Sequence, residues 1–175
     1  MAKLVATLGT SPGGIVETFL HLRESDSSLN DIVVITTSDP STRKAYDILL
    51  NIFQCCVKVN YPQVMLSKIE MPFQDITSSE DLEEFYNKIK GVINEGDYVD
   101  ITGGRKAMSA VAAMAAAKKG ARVFTTIIPQ SDYTIINNKV KELEDKVIEK
   151  CDEALKGIYC SLISKNARTI ELTIR

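Results

Sequence analysis

The residues of this chain best suited to chemistry lie in two glycine-rich turns. Gly9-Thr10-Ser11-Pro12-Gly13-Gly14 follows the apolar run Lys3–Leu8, and Thr102-Gly103-Gly104-Arg105-Lys106-Ala107-Met108 follows Tyr98–Ile101. Glycine at a strand-to-helix turn lets backbone N–H groups come close to a phosphate, and the helix start behind it adds partial positive charge. Anion binding is the chemistry that such turns suggest. A single glycine turn is explained as well by tight turning and helix–strand packing; the second turn, with its two cations, favours a ligand. Arg105 and Lys106 stand where positive charge opposes the helix dipole, at a cost of about 0.3 kcal/mol or more each. An anion that offsets this cost accounts for them better than a solvated helix start does.

Other motifs restrict the chemistry. Gly9 and Gly14 have the glycine spacing of a Walker A loop, but Ile15 and Val16 occupy the Lys and Ser/Thr positions, which argues against magnesium-dependent nucleoside triphosphate chemistry. The dinucleotide fingerprint G-x-G-x-x-G is missing. His21 falls about two turns into the first helix and reads as a surface residue. The run Glu80, Asp81, Glu83, Glu84 suits a solvated helix face with acid in its first turn, and Asp39 and Asp100 are too few for a metal cage. No metal site and no cofactor are expected.

The elements that must position these turns follow from apolar runs and punctuation. Lys3–Leu8 is a strand buried on both faces, and Gly14 to Arg23 a helix. Asp31–Thr37 is β-branched and ends at Ser38-Asp39-Pro40, where proline suits the first turn of a helix running toward Val57. A third strand spans Val64 to Met71. Ser78-Ser79-Glu80-Asp81 then suits an N-cap and acidic first turn for a helix ending near Asn94. Tyr98–Thr102, the alanine-rich Ala107–Lys119 and Ala121–Ile128 give strand, helix and strand. The expected fold is α/β: a Rossmann-like parallel sheet flanked by helices.

Beyond it, Val140, Leu143, Val147, Cys151 and Leu155 predict one amphipathic helix from Asn138 to about Lys156, closing at Gly157. Ile158–Ile163 and Thr169–Ile174 predict a β-hairpin whose exposed tip is Ser164–Arg168. The chain is read as a single domain over 1–175, with core 1–136 and a C-terminal helix and hairpin over 137–175.

With 175 residues, 45% of them hydrophobic and 25% charged, there is enough apolar material for one buried core. A net charge of −2 argues against a general nucleic-acid coat, so stable DNA binding is not expected and any anion must meet a local patch. Cys55, Cys56, Cys151 and Cys160 contain no C-x-x-C pair, and only one histidine is present. They read as buried thiols of a reducing cytosol. No signal peptide or spanning run is expected, which implies a soluble cytoplasmic protein.

Gly9-Thr10-Ser11-Pro12 together with Thr102-Gly103-Gly104-Arg105-Lys106-Ala107-Met108 resembles the CARF domains of CRISPR systems, and most closely the stand-alone archaeal ring nucleases. The resemblance covers about Lys3 to Tyr133. It implies a homodimer that binds cyclic tetra-adenylate across its two-fold axis and cuts it without metal, by attack of a ribose 2′-hydroxyl on the neighbouring phosphorus. Ser11, Arg105 and Lys106 then meet ribose and phosphate. Gly9, Thr10, Thr37, Ser38, Thr102, Gly103, Gly104 and Met108 line the ligand, and Gln130 and Tyr133 meet base or ribose.

A basic residue from the C-terminal part is also implied in cleavage, with Arg168 and Lys165 as candidates; an exposed polar turn explains both equally well. Where the family uses lysine, Arg168 departs from it, and a guanidinium would supply charge but no proton. Two other functions fit the residues. One is a sensor that binds the cyclic nucleotide without cutting it. The other is a mononucleotide-binding enzyme that uses the first glycine turn, with Asp39 near the ribose.

Overall fold

A computed structural model describes residues 1–173. Its first strand, β1 (Leu4–Thr7), is buried along its whole length, as an unbroken apolar run requires. Successive side chains point to opposite faces. Leu4, Ala6 and the following Leu8 pack into one core, while Val5 packs into the other.

Around β1 lie β2 (Asp31–Thr36), β3 (Met65–Glu70), β4 (Tyr98–Asp100) and β5 (Arg122–Ile127), all parallel, in the order β3-β2-β1-β4-β5-β6. The last strand, β6 (Arg168–Glu171), runs antiparallel on β5 and makes the sheet mixed. Helices α1 (Gly13–Ser25) and α2 (Pro40–Ile52) bury Ile15, Phe19, Ile48 and Leu49 on one face. On the other, α3 (Ser79–Val92) and α4 (Lys106–Lys119) bury Phe85, Ile89, Met108 and Ala112. Asp39 caps α2 by accepting the Ser41 N–H (3.0 Å), and Ser78 caps α3 by accepting the Asp81 N–H (3.1 Å). Pro40 opens α2 as the sequence suggests, and the α3 cap falls within the Ser78–Asp81 stretch.

The C-terminal part departs from expectation. The helix predicted over 138–156 is two helices, α5 (Gln130–Glu142) and α6 (Glu153–Cys160), joined by a non-helical stretch. Val140, Leu143, Cys151 and Leu155 of the stripe pack on the core while Val147 is exposed, and Asn51 replaces the helical hydrogen bonds, donating to the Lys146 carbonyl (2.8 Å) and accepting the Ile148 N–H (2.9 Å). Asp152 then restarts helix by capping the Leu155 N–H at 2.8 Å. Gly157 lies inside α6, so Ile158–Cys160 is helix, the predicted hairpin is absent, and β6 pairs with β5 instead. Ile174, the end of the predicted second hairpin strand, lies outside the described residues.

The cysteines are not thiols. Cys55 and Cys56 lie on a π-helical turn, Phe53–Val57, and form disulfides with Cys151 and Cys160 respectively. Adjacent in sequence, they diverge in space, and each bonds its own partner on the C-terminal segment. No helix among the described residues is long and apolar enough to cross a membrane.

Candidate functional site at the sheet switch point

The chain leaves β1 toward β2 on one side and reaches β4 on the other, so the turns after β1 and β4 flank the point where strand order reverses, the usual ligand crevice of such sheets. The two glycine turns touch there. A Cβ on Gly9 would stand 2.8 Å from the Gly104 nitrogen, and one on Gly103 2.8 Å from the Thr7 carbonyl oxygen. Thr7 and Ser109 hydroxyls both donate to the Gly103 carbonyl, at 2.6 and 3.0 Å. The glycines are therefore required by two backbones in contact, whatever they also offer a ligand.

This crest separates two clefts. The first, about 260 Å³, is lined by Gly9, Thr10, Thr37, Asp39, Gly104 and Arg105, with Met108 and Leu8 beneath. Arg105 precedes α4, and its guanidinium donates to Asp39 at 2.9 Å and lies 3.6 Å from Asp75. The counter-charge that the helix start calls for is thus supplied, for Arg105, within the chain. The Ser41 N–H and the Arg105 guanidinium hold the Asp39 carboxyl below the usual carboxylate range. Lys106, the first residue of α4, is exposed and has no ion pair among the described residues.

The second cleft, about 310 Å³, is lined by Ser11, Glu17, Thr102, Gly103, Thr126, Gln130 and Tyr133. Its floor is polar. Thr18 donates to the Gly14 carbonyl (3.1 Å), and its hydroxyl shares a hydrogen bond with that of Thr126 (2.6 Å), as Thr126 does with Thr169 (2.7 Å), tying α1, β5 and β6 together. Asp100, fully buried, accepts the Thr102 N–H and hydroxyl; burial still pushes its carboxyl up to about 6. Glu17 is 8% exposed and accepts the Ser164 N–H at 2.7 Å; burial raises it to about 7, with Asp100 and Asp132 adding repulsion.

The C-terminal segment packs behind this cleft, against α1 and α5. Its Leu162 carbonyl would stand 2.6 Å from a Cβ on Gly13, and Asp132 accepts hydrogen bonds from the Ser164 hydroxyl (2.7 Å) and the Asn166 amide (3.0 Å). Arg168 is not at a hairpin tip. It begins β6 opposite Ile127, at the carboxyl end of β5. Lys165 is exposed in the preceding turn.

Of the residues singled out from sequence, Gly9, Thr10, Thr37, Gly104, Arg105 and Met108 gather in the first cleft, and Ser11, Thr102, Gly103, Gln130 and Tyr133 in the second. Ser38, Lys106 and Arg168 line neither; the Ser38 N–H is used in tying its turn to the Phe73 carbonyl (3.0 Å). Sequence reasoning missed Glu17, Asp132 and Ser164. The one available signal was Glu17 itself, the sole carboxylate among Ile15, Val16, Thr18 and Phe19.

The strand order and the paired turns define a Rossmann-like α/β protein. Csm6 of Enterococcus italicus, solved with cyclic hexa-2′-fluoro-hexa-dAMP, has this fold at a TM-score of 0.50 and 11% identity, over 90% of this chain and 43% of that one. Can2 of Sulfobacillus thermosulfidooxidans, solved with cyclic tetra-adenylate, aligns with a TM-score of 0.47 at 13% identity, over 70% and 31%. In sequence, residues 11–153 match CRISPR-associated protein NE0113, and the chain belongs to that family. It is 44% identical to the CRISPR system ring nuclease SSO2081 of Saccharolobus solfataricus, over 99% of this chain and 100% of the relative.

Proposed function

We propose that the chain is a ring nuclease that works without metal: a cytoplasmic homodimer that binds cyclic tetra-adenylate and cuts it to linear di-adenylate ending in a 2′,3′-cyclic phosphate, switching off type III CRISPR signalling. The observation that carries this reading is 44% identity, along essentially the whole chain, with a relative named as a ring nuclease.

The site supports it. Attack of a 2′-hydroxyl on phosphorus needs alignment of the 2′-oxygen, phosphorus and leaving 5′-oxygen, and stabilisation of charge on the phosphoryl oxygens. Ser11, at the edge of the second cleft, holds the reacting ribose or phosphate. Arg105 grips a ring phosphate with its planar fork, exchanging the exposed Asp39 pair for it, and Lys106 adds point charge. Arg168, at the end of the sheet, stabilises the leaving oxygen. Thr37 lines the first cleft, and Gln130 and Tyr133 receive a base or ribose in the second.

A second copy completes the ligand. On α4, Ala110, Met114 and Ala117 form an exposed apolar stripe, with Met114 61% exposed. A two-fold axis beside that stripe brings two Lys106 residues toward one polyanion.

Rings with and without the attacking group test the reading. The protein is expected to bind cyclic tetra-adenylate and its 2′-fluoro analogue with similar affinity, and to release di-adenylate 2′,3′-cyclic phosphate, identified by mass, from the ribose ring alone. An intact ribose ring, or a cut 2′-fluoro ring, contradicts it.

A further inference from the structure

A 2′-hydroxyl must lose its proton as it attacks, and neither Arg105 nor Arg168 can take one. The second cleft holds one group that can. Glu17 stands in the same cleft as Ser11, on the helix that the Ser11 turn opens into. One carboxylate oxygen is fixed by the Ser164 N–H at 2.7 Å. Among the described residues, no other group hydrogen-bonds this carboxylate and no cation pairs with it.

We infer that Glu17 is the general base of ring cleavage, receiving the proton of the attacking 2′-hydroxyl. This rests on the ring-nuclease reading of the site. The 2′-oxygen forms a bond to phosphorus while the bond from phosphorus to the 5′-oxygen breaks. The 2′-proton passes to the Glu17 carboxylate, the departing 5′-oxygen takes a proton from water, and Glu17 returns its own to solvent. Atoms balance without hydrolysis: a diester becomes a cyclic diester and a free 5′-hydroxyl.

The surroundings poise the group for this task. Burial holds the carboxyl up to about 7 against the lowering Ser164 N–H, and the charged groups facing it, Asp100 from β4 and Asp132 from α5, are both acidic and add to the rise. An ionised carboxylate at that value is a stronger base than an exposed glutamate, yet half of it is free near neutral pH. The Ser164 contact also gives Glu17 a structural role, and Glu17→Gln preserves that role because the amide oxygen still accepts the N–H.

The test is single-turnover cleavage of cyclic tetra-adenylate from pH 5.5 to 9, with ring affinity measured in parallel. Wild type is expected to rise with unit slope up to about pH 7 and then level. E17Q is expected to bind within about threefold of wild type, to cleave about 10²–10⁴-fold more slowly, and to lose that limb. E17D, which keeps a carboxylate, is expected to retain a limb at a shifted pH. E17Q cleavage within fivefold of wild type, or an unchanged limb in E17Q, overturns the inference while leaving the ring nuclease intact. A wild-type rate that is flat from pH 6 to 8 overturns it without any variant. A wild type that binds the ring and never cuts it overturns the ring-nuclease reading as well.

Discussion

The clefts on either side of the glycine crest treat charge in opposite ways. In the first, the Arg105 guanidinium is 57% exposed and already paired with Asp39 and Asp75 in water-screened contacts. In the second, Glu17 and Asp100 are buried, have no cation partner among the described residues, and are held by Ser164 and Thr102. Exposed ion pairs contribute little to stability and exchange readily for a ligand. Buried carboxylates cost stability and keep their basicity. On the proposed reading, the difference suits the first cleft to capture of phosphate and the second to proton chemistry.

The sharpest way to break that division is Ser11→Ala. Its loss is expected in cleavage, about 10²-fold or more, with affinity for the ring nearly unchanged. A Ser11→Ala protein that cleaves like wild type would remove the second cleft from the chemistry.

The segment that holds Glu17 through Ser164 is tied to the Phe53–Val57 turn by the disulfides, which close loops with sequence separations of 96 and 104. One such link contributes about 4–5 kcal/mol in the chain-entropy account. The second closes nearly the same loop and adds less. Full reduction is expected to lower the melting temperature by about 10–15 °C, and to depress cleavage more than ring binding, because Cys160 leads directly to Ser164. Equal losses in both would show that this segment serves the whole molecule and not this cleft.

Glu17 gives a stability test of its own. Its folded pKa of about 7 lies above the ordinary value of 4.5, so the favourable contribution is complete below pH 4.5 and is lost as pH rises through about 7. At pH 8 the Glu17→Gln protein is therefore expected to be more stable than wild type, by up to about 3 kcal/mol, with the gain gone at pH 4. A urea titration at the two pH values measures it. In the first cleft, Arg105→Ala is expected to weaken ring binding about 10–100-fold, most at low salt. Unchanged affinity would mean that Asp39 keeps Arg105 from the ligand.

What the sequence made legible was local. Apolar runs ending in glycine marked β1 and β4, Pro40 and Ser78 marked helix starts, and both glycine turns met at the switch point. Whatever depended on a distant partner was hidden. Glu17 is an ordinary helical acid until the Ser164 amide, 147 residues on, encloses it. Arg105 looked unneutralised because Asp39 lies 66 residues away. The periodicity of 138–156 was real, but Asn51 satisfies that backbone without a helix. Cysteine spacing carries no connectivity, so a pair of adjacent residues gave no sign of two separate links.

One measurement tests the central claim most directly: a single-turnover incubation of the wild-type protein with labelled cyclic tetra-adenylate in EDTA. Conversion to linear di-adenylate with a 2′,3′-cyclic phosphate, at a rate that added magnesium leaves unchanged, is the predicted result. Tight binding with the ring intact after hours, or cleavage only when magnesium is restored, would contradict it.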